Sequence, residues 1–200
     1  VIVGNTEMNA FQERIYGMKQ VFDQHFKHWE LIFVDNDCSE AITEIVKKLS
    51  CKLTIVKLAR RHKVTQALQA GLDCAIGDYI YEFEDFNIDM DWNILVDMFA
   101  KCQEGYDFVF CHPKNTKFMS GLFYRSVKHY FRKNAVPSDV VNSSVCTLSS
   151  RRGQNRVEQI NSRIVNRNLS YSLSGLRAGF LTCDCSYRNR RGILQNLSLM

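Results

Sequence analysis

The first hundred residues of this chain switch repeatedly between two hydrophobic periods. Val1-Ile2-Val3 is a continuous apolar run closed by Gly4-Asn5-Thr6, which reads as a buried strand and the loop at its end. Over residues 9–26, Phe11, Ile15, Met18, Val21 and Phe22 recur at helical spacing. Residues 30–34 predict a second strand, closed by Asp35-Asn36-Asp37-Cys38-Ser39-Glu40, where Asp37 or Ser39 caps a helix over residues 41–49. Residues 53–58 predict a third strand, residues 64–76 a helix ending at Gly77, and the alternation from Tyr79 a fourth strand. This alternation of strand and helix predicts an α/β fold: a mainly parallel central sheet flanked by helices, with right-handed crossovers.

In such sheets ligands bind outside the carboxyl ends of the strands. That rule gathers Gly4-Asn5, Asp35-Asn36-Asp37 and the end of the fourth strand on one rim. The fourth strand runs out into Glu82-Phe83-Glu84-Asp85-Phe86-Asn87-Ile88-Asp89-Met90-Asp91. Crowded carboxylates repel one another and lose hydration on burial, and a divalent cation carrying a phosphorylated ligand would offset both costs. The plainer alternative is that Glu82, Asp89 and Asp91 face water.

A chain of 200 residues with 46% hydrophobic content and two prolines is globular rather than disordered, and long enough for a sizeable core. It contains no apolar run of the roughly 18 residues that a bilayer-spanning helix needs. Val1 already stands inside an apolar run, which implies that the natural chain begins earlier. None of the eight cysteines forms a C-x-x-C pair, and Cys74, Cys102, Cys111 and Cys146 sit among apolar or helical neighbours, which implies reduced thiols and a cytoplasmic protein. Cys183-Asp184-Cys185 reads as alternation on a strand in preference to half of a metal site.

Charge is unevenly spread. Residues 1–100 carry ten Lys/Arg against sixteen Asp/Glu, residues 101–150 seven against three, and residues 151–200 nine against two. An acidic first half and a basic second half suit a cation-binding region facing one that handles an anion, whether phosphate or an anionic lipid surface, with a solvated basic face as the plainer alternative. Nucleic acid is disfavoured, since the basic last quarter has no reader motif and offers only Tyr171, Phe180 and Tyr187 for stacking.

Trp29-Glu30-Leu31-Ile32-Phe33-Val34-Asp35-Asn36-Asp37-Cys38-Ser39-Glu40 resembles the E-I-I-x-V-D-D-G-S-x-D segment of glycosyltransferase family 2. The stretch from Gln66 through Ala67, Leu68, Gly71, Leu72 and Ala75 to Gly77-Asp78-Tyr79-Ile80 resembles that family's A-L-x-x-G-L-x-x-A-x-G-D-Y-I. The resemblance implies a single GT-A domain over residues 1–200, with a Rossmann-like nucleotide-sugar-binding half at 1–100 and an acceptor-side half at 101–200. It also implies inverting transfer from a UDP- or GDP-linked sugar. Asp35 would contact the base and ribose, with Asn5, Arg60 and Lys63 in the same nucleotide pocket. The family's D-x-D falls on Glu84, Asp85 and Phe86, which makes Glu84 and Asp85 the catalytic and metal residues for Mg2+ or Mn2+. Phe86 cannot ligate a hard cation, although Glu82, Glu84 or Asp85 could still supply one ligand by a shifted register, since Mg2+ often needs only one or two carboxylates beside phosphates. The family's R-N-x-G reads Arg60-Arg61-His62-Lys63, and Asn36 replaces the second aspartate of V-D-D. One reading gives the extra cations the work of a weakly held or absent metal; the other is a degenerate relative that binds nucleotide or a partner without turnover.

Within the family the second half resembles the polyprenyl-phosphate branch, which includes dolichol-phosphate mannose synthases. Ser120-Gly121-Leu122-Phe123-Tyr124-Arg125, Leu148-Ser149-Ser150-Arg151-Arg152 (like L-L-S-R-R) and Tyr187-Arg188-Asn189-Arg190-Arg191-Gly192 (like Y-R-x-R-x-x-G) carry that likeness. It implies a polyprenyl phosphate or a surface glycan as acceptor, polysaccharide biosynthesis as the setting, and Arg125, Arg151, Arg188, Arg190 and Arg191 as anion-holding residues. After Asp107 the acids are Asp139, Glu158 and Asp184. This scarcity favours a phosphate acceptor, which is already ionised and needs no general base. Peripheral contact at the inner face of a membrane, through arginines and an apolar edge, is compatible with this reading.

Overall fold

A computed structural model describes residues 1–5, 10–114, 144–160 and 167–187. The elements are β1 (Ile2–Gly4), α1 (Phe11–His25), β2 (Glu30–Asp35), α2 (Glu40–Lys47), β3 (Lys52–Lys57), α3 (Val64–Leu72), β4 (Tyr79–Glu82), β5 (Ile88–Met90), α4 (Ile94–Gln103), β6 (Phe108–Pro113), β7 (Cys146–Ser150), α5 (Arg151–Ile160), α6 (Arg167–Leu173), β8 (Ala178–Cys183) and β9 (Cys185–Tyr187). The expected α/β alternation is present through β4.

β1, β2 and β3 pair in parallel. A parallel bridge from Ile2 to Phe83, with Phe83 N–H donating to the Val1 carbonyl at 3.0 Å, joins β1 to the end of β4. β4 pairs antiparallel with β7, β7 antiparallel with β6, and β6 parallel with β8. The order is therefore β3-β2-β1-β4-β7-β6-β8, with β7 alone reversed among these strands. The chain moves outward from β1 to β3 and then returns to β4 on the other side of β1. That reversal is a topological switch point, which leaves a crevice between the carboxyl ends of β1 and β4.

Alternation along the strands explains the layering. Ile2, Leu31, Phe33, Tyr81, Phe83, Val109 and Cys111 face α1, α2 and α4 and share one core with Phe11, Ile15, Val46, Leu95 and Met98. Val3, Ile32, Val34 and Ile80 face the opposite way and pack with Ala67, Leu68 and Leu72 of α3. Phe108 and Phe110 continue that second face under Tyr171 of α6. The close approach of α3 depends on Gly71, where a Cβ would stand 2.5 Å from Val1 Cγ1 and 2.6 Å from Val34 Cγ2.

Two details differ from the sequence reading. Cys183 ends β8 and Cys185 begins β9, so Asp184 breaks the strand that was expected to carry both. Among the described residues, no group of three or more His, Cys, Asp or Glu is placed to hold a metal. Asp89 and Asp91 do not form a free acidic run either: Asp89 accepts from buried Arg14 at 2.8 Å, and Asp91 Oδ1 accepts the Asn93 N–H at 2.9 Å.

Candidate functional site

Asp35 is the last residue of β2, placed there because the apolar run before it fills both faces of the sheet. It is 7% exposed, and its Oδ1 accepts the Cys38 N–H at 2.8 Å, closing the turn into α2. This turn passes through Asp37 at φ 72°, a left-handed conformation that a short polar side chain tolerates. Ser39 is the N-cap of α2 by position but makes no side-chain cap bond. Cys38 lies beneath the turn; burial, with the Asp35 charge adding, pushes its thiol up to about 12. Gly4 ends β1 against the same thiol, where any Cβ would collide with Cys38 Sγ and the Phe33 ring.

Asn36 ties the next loop to this rim. Its Nδ2 donates to the His62 carbonyl at 3.0 Å and its Oδ1 accepts the His62 N–H at 2.8 Å. The Leu58 N–H donates to the Asp35 carbonyl at 3.0 Å. These three bonds fix the segment that carries Arg60, Arg61 and Lys63, all exposed, at the end of β2. Replacing the second aspartate of the family pattern by asparagine thus has a structural purpose, because an amide can both donate and accept where a carboxylate only accepts.

The end of β4 divides its acids sharply. Glu82 is 4% exposed and points away from the crevice into the second core face. Its carboxylate accepts from Tyr171 Oη at 2.5 and 2.6 Å, Gln154 Nε2 at 2.5 Å, Ser149 Oγ at 3.1 Å and Arg167 Nε at 3.1 Å. Four donors occupy its lone pairs, so the shifted metal register through Glu82 is ruled out. Glu84 and Asp85 follow, half-buried, at the rim. Asp85 Oδ1 accepts the Asn87 N–H at 3.0 Å, which shapes the turn into β5. Phe86 is fully buried: its ring stacks on Trp92 at 5.3 Å and meets Phe83 and Phe11 edge-on at 5.3 and 5.8 Å. Phe86 is therefore a core residue.

The structure brings Asn5, Asp35, Arg60, Lys63, Glu84 and Asp85 to the carboxyl edge of the sheet around one switch point. As a cation site the described residues provide two carboxylates, each with an interaction of its own. That donor set fits only an ion that takes most of its ligands from a phosphate group.

Arg151 does not join them. Because β7 runs against its neighbours, its carboxyl end lies at the amino edge of the sheet. Arg151 there donates to the Ala75 carbonyl at 2.7 Å and to the Gly77 carbonyl at 2.7 and 3.1 Å. Arg152 forms a two-bond pair with Asp107 at 2.8 and 2.7 Å. These residues line a surface depression of about 380 Å³ with Asp78, Tyr79 and Tyr106, on the edge opposite the crevice. Arg125, Arg188, Arg190 and Arg191 lie outside the described residues. Asn36, Gln154, Arg167 and Tyr171 were not anticipated as site-building residues; a glutamate at a core-facing strand position was the signal for the last three.

The reversed strand, the β3-β2-β1-β4 order and the polar switch-point crevice define the GT-A class of glycosyltransferase folds. Solved structures agree over nearly the whole chain. A mannosyltransferase from Pyrobaculum calidifontis, in complex with GDP-Man and Mn2+, superposes with TM-score 0.64 and 14% identity over 95% of this chain and 57% of its own. Glucosyl-3-phosphoglycerate synthase from Mycobacterium tuberculosis, with Mn2+ and UDP-glucose, gives 0.67 and 16% over 98% and 72%. At this identity the likeness concerns the fold. The chain belongs to glycosyl transferase family 2, whose family model matches residues 17–152. A curated relative, the uncharacterized glycosyltransferase YkcC of Bacillus subtilis (strain 168), is 28% identical over 113 residues, 55% of this chain and 34% of that protein. The chain thus spans about a third of that relative's length.

Proposed function

We propose that the chain is the catalytic region of an inverting glycosyltransferase that moves a sugar from a UDP- or GDP-linked donor to a polyprenyl phosphate or a glycan. The observation that carries this reading is the convergence of Asn5, Asp35, Arg60, Lys63, Glu84 and Asp85 on the switch point between β1 and β4. Asp35, with Asn5 beside it, accepts donor groups of the base and ribose through the carboxylate oxygen that the Cys38 turn leaves over. Arg60 and Lys63, held at the rim by Asn36, face the diphosphate and stabilise the charge that grows on it as the glycosidic bond breaks. Glu84 and Asp85 face the same group from β4. A Mg2+ or Mn2+ bound between these carboxylates and the diphosphate would neutralise leaving-group charge. Asp184, at the carboxyl edge of β8, is engaged by Lys114 at 2.6 Å, and Glu158 is exposed on α5. A ready-ionised phosphate acceptor, held by Arg125, Arg188, Arg190 and Arg191 in the polyprenyl-phosphate manner, suits a site with so few candidate bases. Among the described residues no helix is long and apolar enough to cross a membrane.

Calorimetric titration of UDP and GDP, each with Mn2+ and with EDTA, tests the donor site. Wild type should bind one of them and Asp35→Ala should abolish that binding while staying folded; unchanged affinity in a folded variant removes Asp35 from the site. A second reading, a relative that binds nucleotide without turnover, is favoured by the burial of Phe86 and by Asp85 serving its own turn. Product formation with a nucleotide sugar and a polyprenyl phosphate separates the two.

A further inference from the structure

The most elaborate polar cluster in the described residues lies below the crevice. Arg167, 8% exposed, donates through Nε to Glu82 Oε2 at 3.1 Å and to Tyr171 Oη at 2.9 Å. Its Nη1 donates to Gln69 Oε1 at 2.6 Å and its Nη2 to Gln154 Oε1 at 2.8 Å. Gln154 Nε2 donates in turn to Ser149 Oγ at 2.6 Å. One guanidinium therefore joins α3 and β4 of the first half of the chain to α5 and α6 of the second.

A hydrophobic set would pack such a junction at least as stably, because desolvating a buried ion pair commonly cancels its attraction. The cluster's position suggests another role. Glu82 is the last residue of β4, and Glu84 follows two residues on, at most roughly 7 Å away along the chain. Glu82 is thus the fixed point immediately beneath the Glu84–Asp85 turn. At the other end of the fork, Gln69 sits on α3, the helix that begins directly after Lys63. The two rim segments of the proposed donor site therefore share one internal anchor, supplied by the second half of the chain.

We propose that Arg167, acting through Glu82 and Gln69, is a positioning residue that sets the Glu84–Asp85 turn and the start of α3 for donor binding. This rests on the donor-site reading above. The pair is directional where an apolar filler is not: four donors around one carboxylate and two acceptors on the guanidinium tips fix the rotation as well as the spacing of the elements.

The test uses the neutral double variant Glu82→Gln/Arg167→Met, because Arg167→Met alone leaves a buried unpaired carboxylate and can fail to fold. The double variant keeps amide partners for Tyr171 and Gln154 while removing the fork, and its Tm is expected to stay close to wild type. Amide hydrogen exchange over residues 83–88 and 64–70 is then compared with wild type at matched stability, beside UDP and GDP titrations. Exchange in both segments should rise on the order of tenfold, with nucleotide affinity falling by a similar factor. Wild-type exchange in both segments of a folded double variant overturns the proposal, whatever its affinity. Failure of wild type to bind either nucleotide overturns the donor reading instead, and exchange still decides the positioning role.

Discussion

Phe86→Asp places an acid where the sequence reading sets the last residue of a D-x-D pattern, and tests whether that position faces the crevice at all. The ring is fully buried, stacked on Trp92 at 5.3 Å with an interplanar angle of 25°, and edge-on to Phe83 and Phe11. Truncating a core phenylalanine costs about 3–5 kcal/mol, and a carboxylate placed among three aromatic rings adds a desolvation cost or stays protonated. A total near ~4 kcal/mol or more corresponds to a fall of roughly 8–16 °C in Tm for a chain of this size. That is a large share of the roughly 5–15 kcal/mol that holds a domain folded. Urea unfolding followed by tryptophan fluorescence is the assay, since Trp92 stacks on the altered side chain. A parallel titration with Mn2+ and UDP or GDP should show no gain over wild type, because the new acid points into the core. A Phe86→Asp protein as stable as wild type, with tighter Mn2+-dependent nucleotide binding, would refute the burial argument.

Asn36→Ala removes both bonds to the His62 main chain and should cost about 1–3 kcal/mol, with a weaker nucleotide interaction as Arg60 and Lys63 lose their anchor; urea denaturation and calorimetry measure the two, and no change in either contradicts the bracket. Gly71→Ala should destabilise by about 1–3 kcal/mol, because its methyl meets Val1 and Val34 at 2.5 and 2.6 Å; an unchanged Tm would mean α3 can lift off the sheet freely. Stability should also fall at high pH. Burial pushes the Cys38 and Cys102 thiols up to about 12 from an ordinary 9.0, so the folded chain keeps two protons that the unfolded chain releases. Their contribution is full below pH 9 and is lost as pH rises towards 12. The urea midpoint should therefore drop across that range, less so in a Cys38→Ser/Cys102→Ala variant; equal pH dependence in both proteins would count against it.

Local pattern alone determined the elements from β1 to β4. The apolar runs at Ile2, Ile32–Val34 and Ile80 have neighbours of the right period whatever lies across from them, and Gly77 and the Asp35–Ser39 cluster punctuate them. It also determined which rim carries the polar residues, because the polar stretches follow the strands and so lie at the carboxyl ends of a parallel set. Tertiary structure decided the rest. A strand's alternation is identical in either direction, so nothing in Cys146–Ser150 announces that β7 is reversed; that reversal alone carries Arg151 to the edge opposite the crevice. In the run from Glu82 to Asp85 the acids look interchangeable. They part where β4 ends: Glu82, its last residue, closes on Arg167 from 85 residues further along, and Glu84 and Asp85 in the turn beyond it reach the rim. Phe86 could be read as a lost ligand until Trp92, Phe83 and Phe11 were found around it. Such long-range partners are set by packing and desolvation across the assembled layers, which no window of sequence contains.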